Sequence, residues 1–153
     1  MLSAGERAPE IVLPDLSGNP ATLSAILANG AALVAFFKVS CPTCQFTFPY
    51  LQRLENAGIP VIGVSQDGIE ATEAFRDRYD LRFRIWLDAA ASGYRTSNAY
   101  KITHVPSIFL IESNGVIGHS VSGFSREDLE AIGQTFGAAV FSKDEQVPVF
   151  RPG

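Results

Sequence analysis

The chain has two cysteines, Cys41 and Cys44, and they stand three positions apart. Two thiols at this spacing can lie one helical turn apart, within the separation that a disulfide tolerates. If Cys41 is the N-cap of a helix, Pro42 occupies the first helical position, where its missing amide costs nothing. A thiolate at Cys41 would then face free backbone amides and the positive end of the helix dipole, both of which stabilise it. The pair therefore predicts a thiol nucleophile with a second thiol beside it.

Two other uses of a cysteine pair compete with this interpretation. A zinc site would need two further ligands, and the two histidines, His104 and His119, are too far from each other for a zinc finger. A buried pair of structural cysteines is the other alternative. Because the two further ligands are missing, we predict no metal site.

Apolar segments on both sides of the pair predict the elements that position it. Residues 31–37 are an unbroken apolar run of strand length, typical of a central strand that is buried on both faces. Residues 45–57 predict a helix whose buried face consists of Phe46, Tyr50 and Leu54. Cys41 and Cys44 would then lie where the carboxyl end of a strand meets the start of a helix, which is where open α/β sheets place their active residues.

The rest of the chain alternates between strand and helix patterns. Asp67 is the predicted N-cap of one helix, and Ser113, Asn114 and Gly115 predict a type I′ hairpin. Further strands are predicted at 60–65, 83–87, 107–111 and 116–121, further helices at 67–79, 90–100 and 125–140, and a hairpin with a short helix before residue 31. This order predicts an α/β fold of three layers, with a mixed central sheet flanked by helices and an N-terminal β-hairpin extension.

These features together resemble a known family. The strand, the sequence Cys-Pro-Thr-Cys, the helix behind it and the segment 105–111 are similar to the thioredoxin superfamily. The opening residues, 5–18, are similar to the N-terminal extension of its redoxin branch, which holds the peroxiredoxins and the TlpA-like thiol-disulfide oxidoreductases. The resemblance covers residues 5–140 and implies a thioredoxin-like fold.

The resemblance also implies a set of site residues. Cys41 would attack a substrate disulfide, and Cys44 would then release the reduced substrate from the mixed disulfide. No cofactor is implied beyond the redox-active disulfide that these two cysteines form. The remaining residues of the implied active-site loop are Ser40, Pro42 and Thr43.

A second loop is implied to face the thiols. Pro106 corresponds to the cis-proline of the superfamily, and Val105 to the residue whose backbone pairs with an extended substrate. An ordinary trans-proline at the start of a strand is the alternative. His104 would be a nearby proton donor, or else a loop histidine without a function.

The chain departs from the family patterns at several positions, among them Ser40, where thioredoxins carry a tryptophan. Ala35 and Thr47 stand where thioredoxins or TlpA-like proteins carry an acid, which leaves the proton of Cys44 without an evident acceptor. Val34 and Lys38 stand where a peroxiredoxin would carry proline and threonine or serine ahead of Cys41, and peroxide activation is therefore not predicted.

We predict a thiol-disulfide oxidoreductase that exchanges with protein or small-molecule disulfides and needs a reductant or oxidant partner. A thiol-dependent peroxidase is the first alternative, and a Cu(I)-binding carrier that uses both thiols is the second. The direction of electron flow follows from the reduction potential.

Composition limits the other possibilities. The 153 residues, 46% of them hydrophobic, suffice for one domain, 1–153, with a core at 5–140 and a tail at 142–153 that is loose or laid on the surface. The net charge of −4 provides no basic patch for nucleic acid. No apolar run is long enough to span a bilayer, and no signal pattern opens the chain. We expect a cytoplasmic protein as the sequence is written, or a periplasmic or cell-envelope protein if a leader was removed.

Overall fold

The computed structural model describes residues 1–153 and contains nine strands and five α-helices. The strands are β1 (Val12–Pro14), β2 (Pro20–Thr22), β3 (Ala32–Phe37), β4 (Val61–Ser65), β5 (Arg84–Leu87), β6 (Ser107–Ile111), β7 (Ile117–Ser122), β8 (Phe124–Ser125) and β9 (Phe150–Arg151). The helices are α1 (Leu23–Leu27), α2 (Pro42–Asn56), α3 (Ile69–Arg78), α4 (Arg95–Ala99) and α5 (Arg126–Thr135).

Five strands form the central sheet in the order β5-β4-β3-β6-β7. The pairs β3–β4 and β4–β5 are parallel, whereas β3–β6 and β6–β7 are antiparallel. The strands β1 and β2 form a separate antiparallel hairpin before the sheet. The predicted mixed sheet flanked by helices, with an N-terminal hairpin, is therefore confirmed.

The central strand β3 is buried on both faces, as its apolar run predicts. Ala35 and Phe37 belong to a core cluster that includes residues of α2, α3 and α5. Val34 and Phe36 point into a second cluster, which includes residues of α1 and of the N-terminal segment. Because side chains alternate along a strand, one strand supplies both cores. It thus forms a rigid support for the loop that follows Phe37.

The predicted helix 90–100 is interrupted. A single 3₁₀ turn, Ala90–Ser92, ends at Gly93, and Tyr94 has a φ of 52°, so the chain reverses before α4 begins. The buried carboxylate of Asp88 accepts hydrogen bonds from the amides of Thr96 and Ser97. A side chain that precedes the segment therefore supplies acceptors for α4, a tertiary effect that periodicity does not reveal.

The hairpin between β6 and β7 is also different from the prediction. A type I′ turn needs positive φ at two successive residues, but only Gly115 has it, at 84°. The amide of Gly115 donates to the carbonyl of Glu112 at 2.9 Å, and the amide of Glu112 donates to Val116 at 2.9 Å. The loop thus has three residues with a left-handed glycine at its end.

Several predicted faces and caps are shifted. The buried face of α2 contains Cys44, Phe48 and Leu51 in addition to Leu54, whereas Phe46 and Tyr50 are only half-buried. These two aromatic rings pack instead against Phe124 and Phe141 at the border of the core. Helix α1 is capped by Thr22.

The C-terminal tail is ordered on the surface. Val147 is buried in the first core cluster, and β9 pairs with β8 in antiparallel fashion. A loose tail, one of the two expected alternatives, is thus wrong. No helix in the chain combines the length and the apolarity needed to cross a bilayer.

Candidate active site

The two cysteines lie at the junction between β3 and α2. Cys41 is the N-cap of α2, and Pro42 follows at the first helical position, as predicted. The backbone amide of Cys44 donates a hydrogen bond to the Sγ atom of Cys41 at 3.1 Å. One of the amides that a helix start leaves without a partner is therefore directed at the sulfur, where it stabilises negative charge.

The environments of the two thiols differ. Both are free thiols, with Cys41 half-buried and Cys44 fully buried among the apolar side chains of the first core cluster. Burial raises the pKa of the Cys44 thiol far above its usual range, and the hydrogen bond to Cys41 and the charges of Cys41 and Asp67 raise it further. A backbone hydrogen bond with Lys38 acts in the opposite direction. The geometry thus provides one accessible sulfur and one sulfur held neutral beneath it.

The loop before β6 faces Cys41. The Val105–Pro106 peptide bond is cis, which confirms the expectation for Pro106. The thiol of Cys41 donates to the carbonyl oxygen of Val105 at 3.4 Å. The hydroxyl of Ser107 donates to the carbonyl of His104 at 2.6 Å and so ties the loop to the first residue of β6. The structure thus brings Cys41, Cys44, Val105 and Pro106 together.

His104 lies in the same loop, and its ring contacts Thr103. Its side chain is exposed, and its Nδ1 atom lies 3.0 Å from the hydroxyl of Thr103. It borders a polar cleft of about 180 Å³ next to the site. The lining residues of this cleft are Lys38, Gln66, Ile102, Thr103, His104 and Val105.

Asp67 is a site residue that the sequence analysis did not identify as one. Its carboxylate accepts a hydrogen bond from the amide of Val39 at 2.8 Å, while α3 begins beyond it with Gly68 as its N-cap. The predicted helix-capping role is therefore wrong, because this carboxylate holds the loop that leads to Cys41. The pairing of Phe37 with Ser65 in the parallel strands brings the two loops together. The spacing of residues along the sequence does not indicate this contact between Asp67 and Val39.

The other three residues of the active-site loop differ in their exposure. Ser40 and Pro42 are exposed, but Thr43 is buried, and its hydroxyl donates to the carbonyl of Pro152 at 2.6 Å. The sequence analysis did not predict this contact with the C-terminal tail either.

Ala35 and Thr47 stand at the two positions where the family patterns have an acid, and neither offers a free proton acceptor in the core. Ala35 is fully buried in the same cluster as Cys44. The hydroxyl of Thr47 donates to the carbonyl of Thr43 at 2.6 Å and is thus already engaged within the helix. No side-chain carboxylate among these residues can accept the proton of Cys44.

Only Cys41 is accessible at the surface, and Cys44 is buried beneath it. A cavity of about 480 Å³ lies between the N-terminal hairpin and β5, and neither Cys41 nor Cys44 lines it. The site needs no deep pocket, because thiol exchange requires only that a disulfide can reach one sulfur.

Comparison with known proteins gives consistent matches. The chain matches the AhpC/TSA family over residues 4–120. It is 30% identical to the thiol-disulfide oxidoreductase ResA of Geobacillus kaustophilus, covering 84% of this chain and 75% of that protein. It is also 30% identical to the methylamine utilization protein MauD of Paracoccus denitrificans, covering 84% of this chain and 63% of that protein, which is less than two thirds of its length.

Solved structures share the same fold. The thioredoxin domain of a thiol-disulfide oxidoreductase from Bacteroides vulgatus is similar with a TM-score of 0.78 and 26% identity, covering 89% of this chain and 99% of that one. A peroxidoxin from Mycobacterium tuberculosis has a TM-score of 0.70 at 16% identity, covering 89% and 94% of the two chains. This second likeness extends to the fold alone.

Proposed function

This chain belongs to the AhpC/TSA family and is a thiol-disulfide oxidoreductase, and we propose that Cys41 is its attacking thiol and Cys44 its resolving thiol. One observation carries the assignment of roles. The amide of Cys44 is directed at the half-buried sulfur of Cys41, while the sulfur of Cys44 is enclosed in the core. A substrate disulfide can therefore reach only the first of the two.

The reaction is an exchange of disulfide bonds. The thiolate of Cys41 attacks one sulfur of the substrate disulfide, a mixed disulfide forms, and the other substrate sulfur leaves as a thiolate and takes up a proton. Cys44 then loses its proton and attacks Sγ of Cys41. The mixed disulfide breaks, the second substrate thiol leaves, and the Cys41–Cys44 disulfide holds the oxidised state. Two electrons pass from the protein to the substrate, and the reverse sequence oxidises a dithiol.

The surroundings of Cys41 support a role for the loop at Val105 and Pro106 in binding the substrate. The carbonyl of Val105 accepts a hydrogen bond from the thiol of Cys41 in the reduced protein. This carbonyl therefore lies directly beside the sulfur that the substrate must approach. Ser40 and Pro42, the two chain neighbours of Cys41, are exposed. We assign Ser40, Pro42 and Val105 to the surface that receives the substrate, and the buried Pro106 to the loop that positions Val105 there.

The substrate class and the partner are part of the proposal. The half-buried but accessible sulfur of Cys41 suits a disulfide presented by a protein or by a small molecule, with a separate dithiol or disulfide partner that restores the starting state. The compartment stays as predicted from the sequence, and fractionation of the source cells is the measurement that decides between cytoplasm and cell envelope.

The test is a trapping experiment. The variant Cys44→Ser should accumulate a mixed disulfide between Cys41 and the substrate, because the resolving thiol is gone. The matched variant Cys41→Ser should trap nothing, because the sulfur of Cys44 is buried. Trapping through Cys44 in the second variant would contradict the assignment of roles.

Two further measurements separate the alternative functions. Rapid consumption of hydrogen peroxide by the reduced protein would favour a thiol peroxidase, and retention of one Cu(I) per chain on desalting would favour a copper carrier. The buried Val34 and the exposed Lys38 ahead of Cys41 give no support to the peroxidase.

A further inference from the structure

The last nine residues, 145–153, form a segment that we call the strap. It starts on α2, where the guanidinium of Arg53 donates two hydrogen bonds to the carboxylate of Glu145, at 2.7 and 2.8 Å. Val147 is buried, and its carbonyl accepts from the side chain of Arg126 at 3.1 Å. The amide of Arg126 donates to the carbonyl of Val149 at 3.0 Å. The first half of the strap is therefore firmly attached beside α5.

The second half of the strap runs to the active site. The strand β9 pairs with β8, and the guanidinium of Arg151 lies 4.5 Å above the ring of Phe46. The carbonyl of Pro152 accepts the hydroxyl of Thr43 at 2.6 Å. A Cβ on Gly153 would collide with the carbonyl oxygen of Val105. The end of the strap thus lies against residues on two sides of Cys41.

Gly123 shows how closely the strap packs against the rest of the chain. Gly123 has a φ of 75°, and a Cβ at this position would be 2.5 Å from the carbonyl oxygen of Arg151. A side chain at position 123 would displace the strap, so the close approach of the two backbones depends on glycine there. The strap is thus packed into a fitted path.

This path overlaps the space that a substrate needs. In a disulfide the two Cα atoms lie about 4.4 to 6.8 Å apart, so a substrate cysteine bonded to Cys41 brings its own backbone to within that distance. The thiol of Cys41 contacts the carbonyl of Val105, and Thr43 stands two residues beyond Cys41. The strap contacts both Val105 and Thr43. A polypeptide substrate that follows this side of Cys41 meets the strap.

We propose that the strap is a specificity-determining cover of the exchange site, which leaves Cys41 open to small disulfides and must be displaced before a protein disulfide docks. The proposal rests on the proposed function, because it concerns access to the same sulfur. A small disulfide has no backbone on either side of its sulfurs and reaches Cys41 past the strap. A protein substrate brings such a backbone with it.

The contacts between the second half of the strap and the active site are weak enough for displacement. The polar and stacking contacts are the hydrogen bond from Thr43, the short β8–β9 pairing and the stacking of Arg151 on Phe46, beside the close backbone approaches at Gly123 and Val105. Loss of one neutral hydrogen bond changes an equilibrium by about two- to tenfold. Removing the Thr43 hydroxyl should therefore measurably favour the displaced state.

The test compares a small and a large disulfide. Single-turnover rates of oxidation of the reduced protein are measured with 2-hydroxyethyl disulfide and with insulin, in the full chain, in Thr43→Val and in a chain that ends at Val149. Thr43→Val keeps the shape of the side chain but cannot donate to Pro152. Controls are Thr135→Val, which removes a hydroxyl bound to Ala131 in α5, and Val149→Thr, whose parent side chain is 64% exposed.

We expect the ratio of the insulin rate to the 2-hydroxyethyl disulfide rate to rise about two- to tenfold in Thr43→Val and by at least as much in the shortened chain. The two controls should keep the parent ratio. An unchanged or lower ratio in Thr43→Val overturns the inference, even if the shortened chain does not fold. Failure of the parent chain to react with either disulfide would instead overturn the proposed function.

Discussion

The carboxylate of Asp67 accepts a hydrogen bond from the amide of Val39 at 2.8 Å, two residues ahead of Cys41. Its own amide donates to the hydroxyl of Ser65 at 3.1 Å, so the carboxylate is held from the end of the neighbouring strand. The same charge contributes to the raised pKa of the Cys44 thiol. Asp67 thus fixes the approach to Cys41 and opposes the ionisation of Cys44.

The variant Asp67→Asn should accelerate release of the mixed disulfide at neutral pH. Burial is the largest cause of the raised pKa of Cys44, and removal of the Asp67 charge lowers this pKa from its raised position. A larger fraction of Cys44 is then thiolate at a given pH. Because the charge is the smallest of the causes, we expect about a two- to fivefold increase. The measurement is single-turnover resolution of a Cys41 mixed disulfide.

Asparagine can still accept from Val39, so the loop should keep its position in this variant. Asp80→Asn, at an exposed carboxylate paired with Arg82, is the matched control and should leave the rate unchanged. In the parent the rate should rise from about pH 6 to 9, because the Cys44 thiol is neutral below its raised pKa. A rate that is independent of pH would show that another group removes the proton.

Alkylation should distinguish the two thiols of the reduced protein. Cys44 is buried and its pKa is raised, while Cys41 is half-buried. Iodoacetamide should modify Cys41 more than about a hundredfold faster, since each unit of pKa above the pH lowers the thiolate fraction tenfold. Mass spectrometry of the digested protein measures both rates. Comparable rates would mean that the core opens around Cys44 on the time scale of the experiment.

The variant Ala35→Asp should speed resolution at neutral pH and destabilise the fold. It places a carboxylate in the apolar cluster that contains Cys44, where it can accept the thiol proton. Burial of this group without a full set of partners should lower the free energy of unfolding by about 2 kcal/mol or more. Ala35→Asn is the matched control, because it adds a similar polar volume without a proton acceptor of that strength. Equal resolution rates in both variants would rule out the proton-transfer explanation.

The hydroxyl of Tyr100 links the second core to the N-terminal segment. Tyr100 is fully buried, and its hydroxyl donates to the carbonyl of Pro9 at 2.6 Å. Tyr100→Phe should lower the free energy of unfolding by about 1 kcal/mol, because the Pro9 carbonyl loses its partner. Urea denaturation measures the change. Tyr94→Phe, at a ring that is 36% exposed, should cost much less.

The amino-acid sequence by itself determined the centre of the site. The apolar run before Cys41, the proline after it and the spacing to Cys44 are local signals, and they specified a buried strand, a helix start and a neighbouring thiol pair. They could be interpreted in isolation because strand burial, helix capping and the reach between two thiols all depend on residues that are close in the chain. The prediction of a cis bond at Pro106 came from the family resemblance of residues 105–111.

The tertiary structure alone decided what surrounds the thiols. Asp67 is 28 residues from Val39, and Pro152 is 109 residues from Thr43. The Asp67 contact follows from strand pairing, and the Pro152 contact follows from the packing of the strap against α5 and β8. Neither arrangement has a period or a spacing that a sequence displays. The break in the predicted helix 90–100 has the same origin, since the carboxylate of Asp88 becomes a partner of Ser97 only when the chain reverses at Gly93 and Tyr94. At the break in the helix, the hydrogen bonds of the buried Asp88 carboxylate outweigh local helix propensity, because a buried charged group without partners costs more free energy than the small preference that each residue has for a helix.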